Sequence, residues 1–113
     1  MPIVKTYVDE RGEPMARIVE EDGNRVISMD VFREVTAVPE GAEVVEITER
    51  YRLLVRRRPL LGGICEFVYF QFRGGVQLIN AKYMGPDDAE AAIPALLKAV
   101  EEEVGAGEKN RQN

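Results

Sequence analysis

The chain has 113 residues with 15 Lys and Arg against 20 Asp and Glu, a formal net charge of −5, no His and a single Cys. This length fits one domain with a genuine core, while the missing His and lone Cys65 exclude His-based catalysis, a Cys/His zinc site and an internal disulfide. No apolar run reaches the ~18 to 20 residues of a membrane span, and MPIVKTYVDE carries no signal pattern, so a cytoplasmic protein with no membrane partner is expected.

In chain order, Ile3 to Val8 is a β-branched run closed by the turn-like Asp9-Glu10-Arg11-Gly12. Met15 to Glu20 and Arg25 to Met29 flank Asp22-Gly23-Asn24, whose residues tolerate positive φ and so signal a hairpin. Asp30 caps one or two helical turns through Val35 in this reading, and Pro39-Glu40-Gly41 closes a loop. Glu43 to Arg58 is one long strand, or two joined at a bend, which Pro59 ends. Gly74-Gly75 folds Val76 to Met84 back on the strand before it.

Gly85-Pro86-Asp87-Asp88 opens the main helix, with acids at the positive end of its dipole. Ala89, Ile93, Leu96, Leu97, Val100 and Val104 form its apolar stripe. Pro94 either kinks this helix or starts its long part, and Gly105 is placed to end it. The expected organisation is a domain over residues 1–105 and a disordered tail over 106–113. The fold class is α+β: a curved or nearly closed antiparallel meander of about six strands against a C-terminal amphipathic helix.

Charge is distributed unevenly along the chain. Residues 50–82 carry a net +6 and five of the eight aromatics, while the remainder carries −11. With side chains alternating between faces, Val45, Ile47, Tyr51, Leu53 and Val55 form one core set, and Ile64, Val68, Phe70 and Phe72 another. Arg50, Arg52, Arg56 and Arg58 then form a row that antiparallel pairing sets beside Phe67, Tyr69, Gln71 and Arg73. Cations beside exposed rings suit a nucleic-acid strand, with phosphates on Arg and bases on rings. The expected site is Arg50, Arg52, Arg56, Arg57, Arg58, Phe67, Tyr69, Gln71, Arg73 and Lys82. The competing reading treats the rings as core and the arginines as a solvated face laced to Glu on a neighbouring strand.

Little else carries chemistry. Asp87 and Asp88 read as helix-capping charge, Cys65 as a small buried thiol, and neither glycine pair opens a phosphate loop. No enzyme and no cofactor or metal are expected. Abundant Glu, Arg and Val with scarce Asn, Gln, Cys and His point to a hyperthermophilic source.

RYRLLVRRRP at 50–59, CEFVYFQFRGG at 65–75 and the helix from Pro86 to Val104 together make a basic, aromatic meander followed by one helix. This resembles the archaeal ThermoDBP-related single-stranded-DNA-binding proteins and, more loosely, single-strand binders of the positive-cofactor-4 type. The resemblance implies a sequence-independent grip on single-stranded DNA in a cleft lined by rings and rimmed by Arg; ThermoDBP itself dimerises through a longer helix than Pro94 allows here. The expected partner is therefore single-stranded DNA or RNA, and an exposed strand edge with leftover apolar surface adds the expectation of a symmetric homodimer. The alternative is a protein-interaction module or accessory subunit that grips its partner with the same rings and with Leu60-Leu61.

Overall fold

A computed structural model describes residues 3–85 and 89–111, with side chains over 5–13, 15–85 and 90–105. Seven strands form a single antiparallel sheet: β1 (Ile3–Val8), β2 (Pro14–Glu21), β3 (Asn24–Val35), β4 (Glu43–Ile47), β5 (Tyr51–Leu60), β6 (Gly63–Phe72) and β7 (Gly75–Met84). Their order is β1-β2-β3-β7-β6-β5-β4, so the expected six strands become seven and the sheet is open, with β1 and β4 as edges. A 3-10 turn, Ala89–Ala92, leads into the helix α1, Ile93–Arg111. No described helix is long and apolar enough to cross a membrane.

Two local readings change, at Asp30 to Val35 and at Pro59, and the open choice after Glu43 between one strand and two closes in favour of two. The turns expected at Asp30 to Val35 are strand instead, because Val31 and Val35 suit an extended backbone and β7 supplies the ladder. The pairing of β3 with β7 slips between Asp30 and Arg33. The long strand from Glu43 is two strands, turned at Thr48, whose hydroxyl accepts from the amides of Arg50 and Tyr51 at 3.2 Å. Pro59 does not end β5, which pairs on to Leu60.

Pro94 stands second in α1, where its missing amide costs nothing, so the long helix starts there. Gly105 does not stop it, and α1 runs on to Arg111. The opening at Pro86-Asp87-Asp88 lies outside the described residues, as do 112 and 113 of the tail.

The core lies between α1 and one face of the sheet. Ile27, Cys65, Phe67, Tyr69, Leu78 and Ala81 are fully buried there against Leu96, Ala99, Val100 and Val104. Apolar residues recurring at helical spacing meet strand residues of period two, and neither set is buried without the other.

Candidate interaction surface

Antiparallel pairing does set the arginine row of β5 beside the Phe67 and Tyr69 row of β6. The register reads Arg52 to Gln71, Leu54 to Tyr69, Arg56 to Phe67 and Arg58 to Cys65. The helix covers this same face, so the exposure expected for it is corrected. Phe67 is 0 % and Tyr69 1 % exposed, and neither ring can take a base. The other reading of the rings, as core, holds.

The arginines on this face meet the acids of α1. Arg56 bonds Glu103, Arg58 bonds Glu102 at 3.1 Å, and Arg33 of β3 bonds Glu101 at 2.7 Å. Arg52 donates to Gln71 through Nε at 2.9 Å. Arg57 and Lys82 point to the opposite face, where Arg57 holds Glu66 and Glu43 and Lys82 holds Glu21. Of the expected cations, only Arg50, Arg52 and Arg73 have no ion pair among the described residues, Arg52 bonding the neutral Gln71 amide instead. Arg50 and Arg73 sit in the turns just beyond Tyr51 and Phe72, which pair with each other.

Cys65 lies between Tyr83 and Arg58 in the register and is fully buried. Burial pushes its thiol up to about 12, against a smaller downward pull from Arg58. Burial also raises Tyr69, and its hydrogen bond to Glu103 adds to the rise. Both groups stay neutral in the fold and serve as core.

The face turned away from α1 holds Tyr51, Leu53, Val55, Ile64, Val68, Phe70 and Phe72 of the residues expected to be core, whereas Ile47 pairs with Arg52 in the arginine row and both it and Val45 are exposed. Register places Tyr51, Phe72 and Gly75 in its first row, and Glu46, Leu53, Phe70, Gln77 and Glu34 in the next. Then come Glu43, Val55, Val68, Asn80 and Asp30, followed by Arg57, Glu66, Lys82, Ser28 and Arg17. Pro59, Ile64 and Met84 close the β5 side.

Three rings form a ladder in the first two rows. The Tyr51 and Phe70 centroids are 5.2 Å apart at 37°, and Phe70 and Phe72 are 5.3 Å apart at 30°, distances of favourable ring packing. The Tyr51 hydroxyl donates to Glu46 at 2.7 Å, which holds its proton more firmly than usual. Leu53, Val55 and Val68 extend the ladder into an apolar cluster that is only half-buried. Glu34 and Glu46 flank it without a cation among the described residues.

Sequence reasoning took Tyr51, Phe70 and Phe72 for core. The available signal was the acidic run Glu101-Glu102-Glu103, which marks the helix side that meets the arginine row. No protein-family model matches the chain, and no curated protein or solved structure matches it either.

Proposed function

We propose that the chain is a protein-docking module, with the open face of β5 and β6 as its contact surface. The observation that carries this is the contiguous cluster Tyr51, Leu53, Val55, Val68, Phe70 and Phe72, half-exposed on the side without a helix. Exposed apolar patches of this kind mark binding surfaces, and rings held two strands deep are suited to act as anchors.

Electrostatics weigh against the nucleic-acid reading as the first choice. Each phosphate contact needs a cation, and Arg56, Arg57, Arg58 and Lys82 are already held by glutamates. Glu34 and Glu46 beside the cluster, with no cation among the described residues, would repel a polyanion. One arrangement favours single-stranded DNA or RNA as a second reading: the ring ladder ends beside Arg50 and Arg73. The likeness to ThermoDBP-related proteins belongs to that reading.

The two readings separate in solution. Docking expects a protein ligand retained by the wild type and lost by Phe72→Ser, with an affinity nearly independent of salt. Fluorescence anisotropy with single-stranded oligonucleotides should then show no binding at low salt. Oligonucleotide binding with a logarithmic salt slope of about 1.4, two single-strand contacts' worth, would replace docking by the second reading.

A further inference from the structure

The two edges of the sheet are finished differently. On β1 the Lys5 ammonium donates to Glu90 of the 3-10 turn at 2.7 Å and stands 4.9 Å from the centre of the Tyr7 ring. A lysine and a covering turn are devices that keep an edge strand from pairing. β4 has neither. It pairs with β5 alone, all five of its residues are exposed, and it contains no Lys or Arg. The acids of α1 reach Arg56 and Arg58 of β5, and among the described residues none of them bonds to β4.

The side chains of β4 sort by face. Register sets Val44 beside Leu54 and Ile47 beside Arg52 on the side of α1, and Glu43 beside Val55 and Glu46 beside Leu53 on the open side. Val44, Val45 and Ile47 are 46, 54 and 69 % exposed. Glu40 and Glu49 flank the strand, so residues 40–49 carry four glutamates and no cation. Glu43 lies 3.3 Å from Arg57, whose shorter bond, 2.7 Å, goes to Glu66. Glu40, Glu46 and Glu49 have no ion pair among the described residues.

We infer that β4 is a docking edge for an extended basic segment of another protein, which adds to the sheet as an eighth strand. The outer amides and carbonyls of β4 supply the ladder, and alternate side chains supply the selection. Apolar residues of the segment lie over Val44 and Ile47, and its Lys or Arg residues lie over Glu43 and Glu46. The inference goes beyond docking on the open face and does not depend on it.

Charge chooses among the occupants. A second copy is the poorer partner, because β4 against β4 brings the four glutamates of each copy together along one seam. A nucleic-acid strand has the same sign as the edge and offers no ladder. The competing reading is that shortness, the register shift at Val45 and the acids merely guard the edge. A guard needs no apolar surface, however, and three exposed β-branched residues supply both strand preference and contact area.

The probe is an end-capped, fluorescein-labelled peptide of alternating lysine and valine, roughly six residues long. Its controls are the same peptide with glutamate for lysine, and one with alternate backbone amides methylated, which keeps the charge and removes the ladder donors. Anisotropy at low salt should show the lysine peptide binding the full chain and both controls binding at least about tenfold more weakly. Glu46→Lys should weaken the lysine peptide and admit the glutamate peptide. Amide hydrogen exchange of the wild type, which needs no variant to fold, should slow over Val44 to Ile47 when the lysine peptide is bound. No binding below about 1 mM overturns the inference. Equal binding of the methylated peptide also overturns it, by reducing the contact to charge attraction. Slowed exchange in β5 and β6 in place of β4 moves the peptide to the open face, which overturns the edge and keeps docking.

Discussion

One guanidinium nitrogen of Arg56 on β5 donates to both carboxylate oxygens of Glu103 on α1, at 2.9 and 2.7 Å. The Tyr69 hydroxyl donates to the same carboxylate at 2.5 Å. The Glu103 side chain is 4 % exposed, so these donors replace nearly all of its water. The cluster pins α1 over β5 and β6, and in doing so determines which sheet face meets solvent.

Removing the cation alone should therefore be costly. Arg56→Ala leaves a buried carboxylate without its charge partner, and a loss of about 2 to 3 kcal/mol is expected, below the full range for buried pairs because Arg56 itself keeps some water. Arg56→Met combined with Glu103→Leu should recover only part of that loss, since the apolar pair has no desolvation penalty but leaves the buried Tyr69 hydroxyl without its acceptor. Urea unfolding of the two single variants and the double variant measures both effects. A cost for Arg56→Ala below about 0.5 kcal/mol would place the pair among solvated surface bridges instead.

Much of this arrangement was legible in the sequence, and one decision was not. Alternation correctly set Arg52, Arg56 and Arg58 in one row and Phe67 and Tyr69 in the row beside it, and the stripe through Leu96 and Val100 correctly identified the helix. The error was the rule that a charged row faces water. Here the helix supplies Glu102 and Glu103, so the row most charged in sequence lies on the face the helix covers. Local pattern specifies which residues share a face. Which of two faces a helix then covers depends on pairings 44 to 47 residues apart, which no periodicity contains. The Asp30 to Val35 stretch failed for a related reason, because the ladder with β7 outweighs a helix-capping Asp.

Unequal effects on stability are expected from rings on opposite faces of β6. Phe67→Ala opens a cavity beneath α1 and should cost roughly 3–5 kcal/mol, with Tyr69→Ala adding the loss of a donor to Glu103. Phe72, 37 % exposed, contributes contact area without closing the core, so Phe72→Ser should cost no more than about 1 kcal/mol. Chemical denaturation resolves the difference. Similar costs for Phe67→Ala and Phe72→Ser would mean that both sheet faces are covered in solution.

Cys65 should behave as an inert thiol with an alkaline signature. Its folded value is raised to about 12 from the ordinary 9.0, so the fold keeps its full stability with respect to this group below pH 9.0. Above that, the unfolded chain ionises first and stability falls as pH rises through the folded value. Thiol-reagent labelling at pH 8 should be slow in the folded chain and fast in urea. Cys65→Ala should flatten the decline of stability between about pH 9 and 11, and a decline unchanged by that substitution would assign it to tyrosines such as Tyr69, which is raised in the same direction.

The hairpin turns Asp22-Gly23 and Leu61-Gly62 give a reciprocal test of what Leu61 is for. A left-handed backbone costs an L-residue with a bulky side chain about 1 to 2 kcal/mol, a penalty that Asn and Asp largely escape through local hydrogen bonding. Asp22 conforms to this preference and Leu61 does not, although both precede a glycine of positive φ at a hairpin tip. Leu61→Asn should then stabilise the isolated monomer by about 1 kcal/mol, and Asp22→Leu should destabilise it by a similar amount. Dilute thermal melts, where a dimer cannot contribute, measure the pair. If both substitutions destabilise, the partial burial of Leu61 outweighs its backbone strain, and the turn is explained by folding alone. Opposite signs would mean that the chain keeps a less stable residue at an exposed apolar tip, as expected where a side chain is retained for what it binds.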